Sequence, residues 1–254
     1  MIVEILTPYI AERFKNEKRY REGHLRVVNA LPHRKVLGLH VPDMKKIAKA
    51  LAGDDDDIIS RFQKTAHSSL VHEEIVIWGL IINSKNCSVD ERFAMLRRFV
   101  PIIDNWAVCD TYCADAKWLR HVDKGLLWSF LSSYLSSHRE FEVRFAVVVS
   151  MCYLLEKEWL GTLFAALASI DYDNIKSEYV TCATKAAKPQ SGTVCGREPY
   201  YVRMAVAWLL ATSLAKFPLE TRGLLSQTDF PEDVLRMYVR KAKDSFRTRN
   251  VNPF

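Results

Sequence analysis

Apolar residues recur at three- and four-residue spacing through most of the chain, a period that predicts helices and leaves little room for strands. A first helix is predicted from Ile2 to Phe14, with Ile2, Ile5, Leu6, Tyr9 and Ile10 on its apolar face. Gly38 suits a left-handed turn and Pro42 the first position of the helix that follows. The acidic run Asp54–Asp57 is read as capping the next helix, because carboxylates favour a helix N-terminus. Residues from about Leu70 to Asn83 read as an apolar helix, and Trp78 within it reads as core. Ser88-Val89-Asp90-Glu91 has the form of a capping box. His121-Val122-Asp123 is read as the start of a helix ending near Ser137, and Glu140–Leu155 as another. Tyr201–Leu210, a short helix near Leu219–Leu225 and a last helix opened by Pro231 complete the pattern.

One stretch breaks it. Residues 181–199 carry Pro, Gly, Ser and Thr without an amphipathic period and read as a flexible surface insertion. Tyr179-Val180 before it and Tyr201-Val202 after it look like the two halves of one helix start. With nine glycines and nine prolines in 254 residues, 49% hydrophobic and 26% charged, the chain can bury a core. The expected architecture is all-α, an α-α superhelix of two-helix repeats treated as a single domain over residues 1–254.

The formal charge of +6, from 36 Lys and Arg against 30 Asp and Glu, fits a polyanionic partner without requiring one. Basic residues gather at Lys15, Lys18, Arg19, Arg21 and Arg26, at Lys45, Lys46 and Lys49, and on the last helix. There Arg236, Arg240, Lys243 and Arg247 are spaced to line one face. Solvated surface is the competing reading for each cluster. Met1-Ile2-Val3-Glu4 lacks the basic start and apolar run of a secretory signal, and no apolar run is long enough to span a membrane. None of the six cysteines forms a CxxC pair or sits at zinc spacing, so no metal is expected. Cys109 and Cys113 read as small apolar packing groups in a reducing cytosol.

Candidate chemistry centres on Asp104-Asn105-Trp106-Ala107-Val108-Cys109-Asp110. Asp104 or Asn105 can cap a helix, which puts Trp106 and Asp110 four residues apart on one face. An indole beside a carboxylate suits a cationic ring system. A core tryptophan with a carboxylate favouring the helix dipole is the alternative. Arg144 lies among Phe141, Phe145, Val147 and Val148 and needs a polar partner, an acidic side chain or a phosphate. From Trp106 to Arg144 is 38 residues and from Arg144 to Trp208 is 64. Without an insertion of about 20 residues, the second step is nearer 44, within the about 40–47 of HEAT-type repeats.

The ordered set of Gly38-Leu39-His40-Val41-Pro42, the Trp106/Asp110 helix, the Arg144 helix and the Trp208 helix resembles the DNA alkylation repair enzymes of the AlkD-like family. These are HEAT-like-repeat DNA glycosylases. The resemblance implies a concave, basic groove holding double-stranded DNA with alkylated purines, chiefly 7-methylguanine and 3-methyladenine. It implies that Trp106 and Trp208 bracket the damaged nucleotide, that Asp110 is the catalytic carboxylate, and that Arg144 holds backbone phosphate. His40, Pro42, Lys45, Lys46 and Arg203, together with Arg236, Arg240, Lys243 and Arg247, are the expected DNA contacts. No cofactor and no obligate protein partner are expected, and a monomer in a bacterial-type cytoplasm, held at the nucleoid through DNA, is implied. Two other readings are a non-catalytic module for distorted or branched DNA and a protein-interaction scaffold, a common use of such repeats.

Overall fold

Every regular element is helical, as the apolar period requires, in a computed structural model that describes residues 2–54, 57–179 and 199–254. The described residues form two compact units, Met1–Val122 and Asp123–Phe254. Residues 181–198 of the expected insertion, with Cys182 and Cys195, lie outside the described residues.

In the first unit, α1 (Val3–Leu6), α2 (Glu12–Asn16) and α3 (Lys18–Val28) precede α4 (Val41–Asp54) and α5 (Ile58–Lys64). Then come α6 (His72–Ser84), α7 (Val89–Phe99) and α8 (Trp106–Asp115). The expected Ile2–Phe14 helix is corrected to α1, a 3-10 turn at Thr7–Tyr9 and α2. Pro8 has no N–H to continue the helical ladder, and the backbone is extended at Ile10. Of the anticipated apolar face, Ile2 and Leu6 are buried, but Ile5 and Tyr9 are exposed. α4 packs on α6 and α6 on α8, each helix meeting the next but one, the pattern that stacked two-helix repeats produce.

α6 lies at the centre of this unit and is buried nearly all round, from His72 to Ile82. Trp78 is core, stacked on Phe62 at 5.2 Å and packed against Phe99 at 5.8 Å. Gly79 lets Phe99 approach, since a Cβ there would lie 2.7 Å from the ring. Ser88 and Glu91 form the anticipated capping box at the start of α7. Asp57 occupies the N-cap of α5, but its side chain makes no capping bond.

The second unit holds α9 (Lys124–Leu135), α10 (Glu140–Tyr153), α11 (Leu160–Ala168), α12 (Tyr200–Lys216), α13 (Pro218–Leu225) and α14 (Glu232–Asp244). Asp123 caps α9 by accepting from the Leu126 N–H at 2.8 Å. The same next-but-one packing runs from α10 to α12 to α14. Among the described residues no helix is long and apolar enough to cross a membrane.

Candidate active site

The start of α8 is tied down from two sides. Asn105, fully buried, accepts from the Ala107 N–H at 2.7 Å as N-cap. Its amide nitrogen donates to the carbonyls of Val28 at 2.8 Å and Asn29 at 3.1 Å, fastening α8 to the left-handed end of α3, where Asn29 has φ 50°. Asp104 is paired with buried Arg34, whose Nε and Nη2 lie 2.9 and 2.8 Å from its Oδ2. Nη1 of Arg34 donates to the carbonyls of His67, at 2.8 Å, and Leu70.

Trp106 then opens the helix, half-buried, its indole N–H donating to the Val27 carbonyl at 3.2 Å. Asp110 follows one turn later, also half-buried. Val108, Cys109, Tyr112 and Cys113 are the core residues of α8. A fixed indole edge and a carboxylate thus share a face that is not packed away.

In the second unit, α10 and α12 carry the other two candidates. Arg144 is 4% exposed; its Nη1 donates to the Tyr201 carbonyl at 2.7 Å and its guanidinium lies over the Tyr201 ring at 5.8 Å. This answers the sequence's demand for a polar partner with a backbone carbonyl. Glu140, one turn before it, accepts from the Tyr201 N–H at 2.6 Å and from the Ser177 hydroxyl. Burial pushes the Glu140 carboxyl above the ordinary glutamate range, opposed by these donors and by Arg144. Trp208 is 37% exposed on α12, between buried Ala207 and Leu209.

The expected DNA contacts fall into distinct environments. His40 and Pro42 are exposed beside a loop held rigidly from beneath. Glu73 accepts from the backbone N–H groups of Leu37, Gly38 and Leu39, at 2.9, 2.8 and 3.4 Å. Burial raises its carboxyl pKa, with those three N–H groups pulling the other way. Gly38 has φ +87° and lies against the Phe14 ring, so the left-handed turn expected there is present. Lys45 pairs with Asp115 at 2.6 Å, and Lys46, more exposed, lies 3.8 Å from Asp43.

Arg236, Arg240 and Lys243 are exposed on α14, with Arg236 at 3.7 Å from Glu232. Arg247 is corrected: it lies in the turns beyond Asp244, where α14 has ended, and is exposed there. Arg203 also departs from the expectation. Its guanidinium is paired with Asp233, lies 3.6 Å from Asp173 and sits over the Tyr172 ring at 5.6 Å, so it is an internal strut and not an open cation. Among the described residues no group of three His, Cys, Asp or Glu side chains could hold a metal ion.

Arg34, Glu73, Glu140 and Tyr201 were not singled out by sequence reasoning. The available signal was weak: a glutamate heading an otherwise apolar helix, as in α6 and α10, is a charge that must find donors. Arg34 looks like one member of an ordinary basic run.

Every-second-helix packing, a Trp/Asp face and exposed cationic helices define an all-α protein of helical-repeat type. The chain belongs to the DNA alkylation repair enzyme family, whose model matches residues 11–178. Trp106, Asp110 and Arg144 lie inside the matched stretch, and Trp208 and α14 lie beyond it. No curated protein and no solved structure matches the chain. Membership gives it a role in repairing alkylated DNA, with DNA as its substrate.

Proposed function

We propose that the protein is a DNA glycosylase that hydrolyses the N-glycosidic bond of cationic N7- or N3-alkylated purines in duplex DNA. The observation that carries this reading is the Trp106/Asp110 pair, half-buried on one face of α8 in a chain of the DNA alkylation repair family. Alkylation at either nitrogen gives the purine a positive charge, so the base leaves without being protonated. As the bond between C1′ and the base nitrogen breaks, its electron pair goes to the base, which departs neutral. The sugar gains oxocarbenium character, as in glycoside hydrolysis.

Asp110 stabilises that cation and orients a water whose oxygen bonds to C1′, and the water's proton passes to the carboxylate and on to solvent. Trp106 and Trp208 favour the cationic nucleotide through their π faces, worth about 0.5–2 kcal/mol each. Discrimination then needs no base-specific hydrogen-bond pocket. His40, Pro42, Lys45, Lys46, Arg236, Arg240, Lys243 and Arg247 serve as backbone contacts. The enzyme works as a monomer without a cofactor.

Release of free 7-methylguanine from alkylated duplex DNA tests the reading. Asp110→Asn should lose release by about 100-fold or more while still binding the duplex. Full release by that variant overturns the mechanism. Tight duplex binding with no release by the unmodified protein would favour a non-catalytic DNA-binding module. No duplex binding at all would favour a protein scaffold.

A further inference from the structure

We infer that Glu140 and Arg144 form a clamp on the backbone of Tyr201 that positions Trp208, and that Arg144 serves the reaction through this clamp and not by neutralising a phosphate. The inference rests on the glycosylase reading for its activity arm and on geometry within the second unit for the rest.

Glu140 and Arg144 are four residues apart on α10 and share the face that meets α12. One accepts from the Tyr201 N–H at 2.6 Å and the other donates to the Tyr201 carbonyl at 2.7 Å. Both polar groups of a single residue are therefore held from one neighbouring helix. Tyr201 is the second residue of α12, where the N–H has no partner within its own helix. Glu140 supplies the missing acceptor. A helical carbonyl that takes its own i+4 N–H keeps a second lone pair, and Arg144 occupies it.

The clamp is anchored elsewhere too. Glu140 also takes the Ser177 hydroxyl, and Ser177 Oγ accepts from the Tyr179 N–H at 3.1 Å. Phe141, Tyr179 and Tyr201 close over it, with ring centroids 5.0 to 5.8 Å apart. Trp208 stands seven residues along α12 from Tyr201, almost two full turns, so the two share a face about 10 Å apart. A shift or rotation at the clamped end moves Trp208 directly. Arg144, at 4% exposure, presents almost no surface to a phosphate. Lys46, with 78% of its side chain exposed, does.

The experiment uses the full chain and the variants Arg144→Gln, Glu140→Ala, Trp208→Ala and Arg144→Gln/Trp208→Ala. Base release is measured in single turnover, and binding to undamaged duplex is measured across a salt series. Arg144→Gln should lower release by about 10- to 100-fold while the slope of log K against log salt stays at the wild-type value. A phosphate contact would reduce that slope by about 0.9, and such a reduction overturns the inference. In the Trp208→Ala background the Arg144→Gln effect on release should largely vanish; independent, multiplying effects refute the coupling.

Glu140→Ala should lower release as Arg144→Gln does, although it removes a negative charge. Unchanged release there refutes the clamp, and this variant decides the matter if Arg144→Gln does not fold. If the unmodified protein releases no base, the glycosylase reading fails. The salt slope still tells a clamp from a phosphate contact.

Discussion

Arg34→Met is the sharpest test of how the Trp106/Asp110 helix is held. The guanidinium spans the Asp104 carboxylate and the carbonyls of His67 and Leu70, with Arg34 and Asp104 side chains only 5% and 13% exposed. Methionine fills most of the volume but returns none of the donors. The dominant cost is the Asp104 charge left without its counterion, roughly 3–5 kcal/mol for breaking a buried pair. The two carbonyls lose donors as well, which places the change at the upper end of that range. A chain of this size loses about 2–4 °C in Tm per kcal/mol, so about 5 kcal/mol corresponds to a drop of roughly 10–20 °C.

The assay is urea and thermal unfolding followed by far-UV circular dichroism, with the urea slope unchanged if only stability has moved. Adding Asp104→Asn should recover part of the loss, because the stranded charge is then gone. A loss under about 1 kcal/mol, the value of a surface pair, would refute the account. So would a double variant no more stable than Arg34→Met alone.

Two further outcomes follow from the first unit. His72 is buried, its Nδ1 without a partner, and desolvation with help from His24 and Arg34 lowers its pKa from 6.5 to about 4. The unfolded chain therefore takes up this proton first, so the His72 contribution is complete above pH 6.5 and falls as pH drops towards 4, by roughly 2 kcal/mol between pH 7 and 5. Glu73 and Glu140, both raised, contribute with the opposite sign on acidification. Wild type should accordingly lose stability relative to His72→Leu as pH falls from 7 to 5, and a pH-independent difference would contradict the assignment. Gly38→Ala should cost about 2–5 kcal/mol, since φ is +87° and the new Cβ would lie 2.2 Å from Phe14 Cγ. Phe14→Ala in the same chain should relieve part of this steric conflict, and strictly additive unfolding free energies would argue against it.

Much of the first layer of this molecule was legible in the chain. The buried Trp78 helix, the Ser88 box, the helix start at Asp123 and the turn at Gly38 are governed by neighbours within a few residues, and short-range periodicity and capping chemistry reveal them. Trp106, Asp110, Arg144 and Trp208 could be picked out as an ordered set near repeat spacing, and their joint role is the proposal made above. The N-terminal helix failed because Pro8 outweighed a plausible apolar period. Arg203 and Lys45 were visible as charges, but their partners were not: Asp233 and Asp115 are distant in sequence. The same holds for Glu73 beneath the 37–39 loop and for Arg144 on the Tyr201 carbonyl. Periodicity reports which face of a helix turns inward. Only packing brings a buried charge to the backbone group that satisfies it, because that match is made between elements tens of residues apart.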